Sequence, residues 1–146
     1  MSGASGKPKH PFEILEHPAD VGFVAYGATQ AELFENAAAA MLSLACDPAT
    51  IEEKVQRELS AEGESIDALL YAWLAELLAV ADAEGLVFRR AEVNEISERR
   101  VRGVAHGEKF DRARHRAGTY IKAVTFHQLE VLHNEQGWRA RVFLDV

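Results

Sequence analysis

Apolar residues in this chain recur with two different periods, and the alternation between them marks out the elements. Phe12-Glu13-Ile14-Leu15-Glu16 reads as a first strand and Gly22-Phe23-Val24-Ala25-Tyr26 as a second. The link His17-Pro18-Ala19-Asp20 contains a proline that cannot continue a ladder. Leu33, Phe34, Ala37, Met41 and Leu44 then fall on one helical face. Thr29 opens that helix as the first member of a capping box, with Glu32 placed to reach back to the Thr29 amide, and Asp47-Pro48 stops it. From Thr50 to Ala61 the pattern loosens, with Ile51, Val55 and Leu59 set among charges, and predicts an exposed strand.

The clearest periodicity lies in the next segment. Ile66, Leu69, Leu70, Trp73, Leu74, Leu77, Leu78 and Ala81 follow the helical repeat, so this second helix is expected to lie flat on a sheet. Ser65 suits its N-cap and Gly85 its C-terminal end. Strands follow over Leu86–Ile96, Val101–Phe110, Tyr120–Phe126, Gln128–His133 and Trp138–Val146. Trp138, Ala140, Val142, Leu144 and Val146 alternate with polar neighbours in the last of these. Two helices among many strands predict an α+β fold, with the helices packed on a mostly antiparallel sheet. No repeat or linker divides the chain, so residues 11–146 are read as one domain preceded by a flexible tail over residues 1–10.

Composition narrows the function classes. The 146 residues suffice for one full-sized core, and 48% apolar with 27% charged is an ordinary globular balance. The formal net charge of −7 disfavours direct contact with phosphate backbones. Cys46 is the sole cysteine, which excludes an internal disulfide and a paired-thiol zinc or redox site; a small buried hydrophobe is its simplest role. No stretch approaches the ~20 apolar residues of a membrane span, and residues 1–10 lack the apolar centre of a signal peptide. A soluble cytoplasmic protein is expected.

No glycine-rich nucleotide loop, nucleophile elbow or helical pair of metal-binding histidines is present, and the six histidines are scattered. No catalytic residue and no nucleotide-cofactor site is nominated. The acids offer more. Asp20 sits in a short loop between two strands, and Asp145 lies beside the α-carboxylate of Val146. Were the last strand to pair beside the first hairpin, three carboxylates would converge and suit a hard cation such as Ca²⁺ or Mg²⁺. Spacing alone favours the plainer account, in which Asp20 caps a turn and Asp145 is a solvated end residue. The run Arg112, Arg114, His115, Arg116 is the local basic patch, most simply a solvated loop, with contact to RNA or an acidic partner as the other reading.

Several segments together resemble the archease family. They are Leu15-Glu16-His17-Pro18-Ala19-Asp20-Val21-Gly22, Ala25-Tyr26-Gly27, Phe34-Glu35-Asn36-Ala37, Leu69-Leu70-Tyr71-Ala72-Trp73-Leu74, Gly107-Glu108-Lys109-Phe110-Asp111, Lys122-Ala123-Val124-Thr125-Phe126-His127 and Arg141-Val142-Phe143-Leu144-Asp145-Val146. The match is collinear over nearly everything after Pro11. Pro18 stands where the family commonly has threonine, and Phe126 where tyrosine is common. The resemblance implies a two-layer fold of the strand-helix-strand-strand type. It also implies a non-enzymatic role as protein cofactor of an RtcB-type RNA ligase, which joins RNA ends in tRNA splicing and RNA repair. Such a cofactor promotes guanylylation and turnover of the ligase, and meets RNA only through it. The family's metal residues fall here on Asp20, Asp145 and Val146, with Ca²⁺ the first expectation and Mg²⁺ or Mn²⁺ next. Two other classes stand beside this reading. One is a general protein-binding or chaperone-like module with a purely structural carboxylate cluster, and the other a small metal-dependent hydrolase.

Overall fold

The structure is a computed structural model, and it describes residues 10–16 and 20–146. The expected tail over residues 1–10 lies outside the described residues except for His10, and so does the link His17-Pro18-Ala19. In chain order the elements are β1 (Phe12–Glu16), β2 (Asp20–Gly27), α1 (Gln30–Ala45), a 3₁₀ turn (Pro48–Thr50), β3 (Val55–Glu62) and α2 (Ile66–Glu84). There follow β4 (Leu86–Ile96), β5 (Arg100–Lys109), β6 (Ala123–Val124), β7 (Glu130–Asn134) and β8 (Gly137–Asp145). This is the α+β fold expected, with every described strand pairing antiparallel.

The strands divide into two sheets. One runs β1-β2-β8-β6, with β7 also paired to β8, and the other runs β3-β5-β4. The two helices join them, because each packs against both. α1 lies on β2 of the first sheet and β4 of the second, while α2 contacts β3, β4 and β5 on one side and β6 and β7 on the other. The double contact explains why α1 buries more than a single stripe: Leu33, Phe34, Ala37, Ala38, Ala40, Met41 and Leu42 are all buried. Trp73 of α2 is fully buried and its indole N–H donates to the Phe34 carbonyl at 3.1 Å, which ties helix to helix inside the core.

Local signals place the helix ends. The Thr29 hydroxyl accepts from the Glu32 amide at 3.1 Å, but Glu32 Oε1 accepts from the Ala28 amide at 2.7 Å and not from Thr29. Ser65 caps α2 through the Ala68 amide, and Gly85 ends it in the left-handed region at φ 65°. In the stretch read as a strand from Thr50, a 3₁₀ turn comes first and the strand begins at Val55, with Leu59 turned into the core.

The largest departure is the segment read as a strand over Tyr120–Phe126, of which only Ala123–Val124 pair as strand. Upstream, the Gly118 and Thr119 amides donate to the carbonyls of Ala45 and Leu44, at 2.9 and 2.8 Å. Those contacts draw the chain entering the segment to the C-terminal end of α1, where helix carbonyls need donors.

Candidate metal centre

Alternation along two paired strands sets which face each residue occupies. In β2, Val21, Phe23 and Ala25 point inward, and Phe23 and Ala25 are completely buried. In β8, Ala140, Val142 and Leu144 do the same. Register pairs Phe23 with Val142 and Val21 with Leu144, so the next residue toward the end of each strand, Asp20 and Asp145, faces outward. Asp20 and Asp145 are themselves Cα partners. Their Cβ atoms are therefore at the cross-strand spacing of about 4.5–5.5 Å, on one face of the sheet.

Asp145 is held from both sides. β2 flanks it through Asp20, and β6 flanks it through Ala123, with the Lys122 amide donating to the Asp145 carbonyl at 2.8 Å. Val146 follows directly and packs, half-buried, against the core. One step along the same outward face stands the pair Gly22 and Phe143. A Cβ at Gly22 would lie 2.6 Å from Phe143 Cδ1, so the missing side chain is what lets the ring lie on β2.

Among the described residues, neither Asp20 nor Asp145 has an ion-pair partner within 4.0 Å, and no three His, Cys, Asp or Glu side chains gather in a metal-binding group. The sequence nominated two aspartate side chains and one terminal carboxylate, and the aspartates are brought face to face. Two facing carboxylates repel when alone. As a donor set they are hard oxygens, suited to Ca²⁺ or Mg²⁺ and unsuited to metals that prefer thiolate or imidazole.

A second polar cluster was not foreseen. Glu108 is buried, and its Oε2 accepts from the Glu52 amide at 2.7 Å and meets His115 Nε2 at 2.9 Å. Its other oxygen pairs with the Arg114 guanidinium. The Asp111 amide donates to His115 Nδ1 at 2.8 Å, which assigns the ring proton to Nε2 and aims it at Glu108. The Glu52 amide foremost, then the His115 ring and Arg114, hold the Glu108 carboxyl down to about 2 against the opposing effect of burial. Every group here is satisfied, so the cluster fastens the 111–116 turn to β5. Arg114 is thereby removed from the basic patch, and Arg116 stands 3.6 Å from Asp47. Nothing in the sequence signalled Glu108 to Glu52, 56 positions apart.

The remaining candidates are structural in their surroundings. Cys46 is buried and burial pushes its thiol up, the reverse of what a nucleophilic cysteine requires. His106 lies in β5 with Nε2 2.6 Å from Glu92. No helix among the described residues is long and apolar enough to cross a membrane.

Known proteins share this fold. The model of the Archease protein family matches residues 12–146. A protein of Methanosarcina mazei named Protein archease is 39% identical over 139 residues, covering 92% of this chain and 95% of its own. One of the same name from Sulfolobus acidocaldarius is 35% identical, covering 92% and 98%. The solution structure of Methanobacterium thermoautotrophicum protein 1598 is similar at TM-score 0.79 and 36% identity, over 93% of this chain and 99% of that one. A Thermotoga maritima crystal structure, described as an archease and possible chaperone, shares the fold at TM-score 0.64 and 19% identity, over 90% and 94%.

Proposed function

This chain belongs to the archease family, and from that premise we propose that it is a non-catalytic activator of an RtcB-type RNA ligase. In this reading it binds a divalent cation through Asp20, Asp145 and the Val146 carboxylate, with Ca²⁺ first and Mg²⁺ or Mn²⁺ as alternatives. The observation that carries the reading is the direct pairing of Asp20 with Asp145 across β2 and β8. Two unneutralised carboxylates held opposite each other are costly unless something positive is shared between them.

When bound, the cation would offset two of the three negative charges at the sheet end and would supply a Lewis acid there. The chain's own residues do the rest. β6 and β2 fix Asp145 from both sides, and Phe143 lies against Gly22 to close one flank of the pair. The proposed partner step is guanylylation of the ligase and recovery of its turnover, with RNA met only through the ligase.

Adding the purified protein to an RtcB-type ligase should raise multiple-turnover ligation. Asp20→Ala, or truncation of Val146, should remove both cation binding and that stimulation. Absence of stimulation by the parent chain would reject the ligase assignment, whereas stimulation that survives both changes would reject the metal residues alone. A general protein-binding module is the second reading. The exposed side chains of Tyr120 and Phe126 favour it, as does the Thermotoga maritima protein's description as a possible chaperone. It is distinguished by Asp20 and Asp145 variants that lose thermal stability but still bind the partner.

A further inference from the structure

The exposed aromatic side chains among the described residues are Phe110, Tyr120 and Phe126, at 40%, 69% and 58% exposure, all in the irregular stretch around β6. The same stretch is basic. From Lys109 to Lys122 it holds five cations and one acid, a net +4 within a chain of −7. Phe110 and Tyr120 border a cavity of about 340 Å³ between the ends of α1 and α2, floored by Leu42, Leu77 and Leu78. Phe126 stacks on Tyr71 of α2, ring centroids 4.0 Å apart. Tyr71 and Leu78 are seven residues apart on one helix face, about 10 Å along the axis. Stack and cavity therefore lie on one strip of α2, about two turns apart.

We infer that this strip is a docking surface for a protein partner that presents an apolar anchor ringed by carboxylates. The inference rests on the reading above that the chain acts by seating on another protein. Exposed aromatics beside arginine are the composition of interface centres and of the residues that dominate binding energy. A nucleic-acid strand fits less well, because phosphate tracking needs a run of free cations. Here Arg114 is bound to Glu108 and Lys109 Nζ donates to the Glu84 carbonyl at 2.9 Å, while Asp82 lines the cavity. Arg112 remains exposed to meet partner acids, while Arg116 stands 3.6 Å from Asp47. The cavity is at the small end of the ~300–1,000 Å³ range of binding pockets, which suits one or two apolar side chains.

The test is a binding titration of the full chain against an RtcB-type ligase, with and without EDTA. Tyr120→Ala with Phe126→Ala should weaken binding about tenfold or more, while the melting temperature falls by only a few degrees through the lost stack on Tyr71. Arg112→Glu, on a solvent-facing residue, should weaken it in a salt-dependent way. Equal binding by the parent, the double variant and Arg112→Glu overturns this inference and leaves the ligase reading standing. If the parent chain does not bind the ligase, both fall. Binding of a single-stranded RNA that these substitutions abolish, with ligase binding untouched, overturns the assignment to a protein partner.

Discussion

Replacing Asp20 by asparagine removes one charge from a facing pair while keeping size and hydrogen-bonding capacity, so its effect should reverse sign with the cation. Without a cation the substitution relieves repulsion. Two unit charges about 5 Å apart interact by about 0.8 kcal/mol in water and about 3 kcal/mol at an effective dielectric of 20. Asp145 is exposed and Asp20 half-buried, which puts the relief near the lower figure and within the 0.2–1 kcal/mol of cross-strand pairs. For a chain of this size that is a rise of about 1–4 °C in melting temperature. With the cation at a hundred times its dissociation constant, the parent gains about 2.7 kcal/mol, or roughly 5–11 °C, which the variant lacks. Calorimetric melting of both proteins in EDTA and in saturating Ca²⁺ should therefore give curves that change order. The reasoning fails if Asp20→Asn lowers stability in EDTA by more than about 1 kcal/mol and Ca²⁺ shifts both proteins alike. That pattern would make Asp20 a turn cap with a structural bond to lose.

Glu108→Gln should flatten the acid limb of stability. The Glu108 carboxyl is held at about 2 against an ordinary 4.5, so its stabilisation is complete above 4.5 and lost as pH falls toward 2. Urea midpoints across that window should converge for parent and variant as pH drops; parallel curves would show that the cluster does not carry the pH dependence. Gly103→Ala should destabilise by about 1–3 kcal/mol, because its Cβ would lie 2.1 Å from the Glu92 carbonyl oxygen and 2.8 Å from Trp73 Cη2. A neutral result in urea unfolding would mean that β5 can withdraw from the helix layer. Ser65→Ala should cost about 1 kcal/mol through the lost Ala68 cap, read as a lower melting temperature.

What the sequence made legible was local, and the site is not local. The stripe from Ile66 to Ala81, the Ser65 and Gly85 caps and the Thr29 start depend on neighbours within a few positions, and each appears where the pattern put it. Where a distant partner draws the chain aside the pattern misleads. Gly118 and Thr119 give their amides to the end of α1, and the strand expected over Tyr120–Phe126 shrinks to Ala123–Val124. Glu108 looked like one more charge in a turn until Glu52, Arg114 and His115 converged on it. The aspartate pair lies between these cases. Alternation in β8 already told that Asp145 faces away from Val142 and Leu144, but not that Asp20 would stand opposite. That adjacency is a register, and the core enforces it. Phe23 on Val142 and Ala25 on Ala140 are buried pairs in the same ladder. A slip of one residue would turn one strand's apolar set outward and carry its aspartate to the other face. The hydrophobic packing beneath the sheet is therefore the device that holds two like charges across from each other at its end, and a substitution deep in that packing should loosen the site before it unfolds the protein.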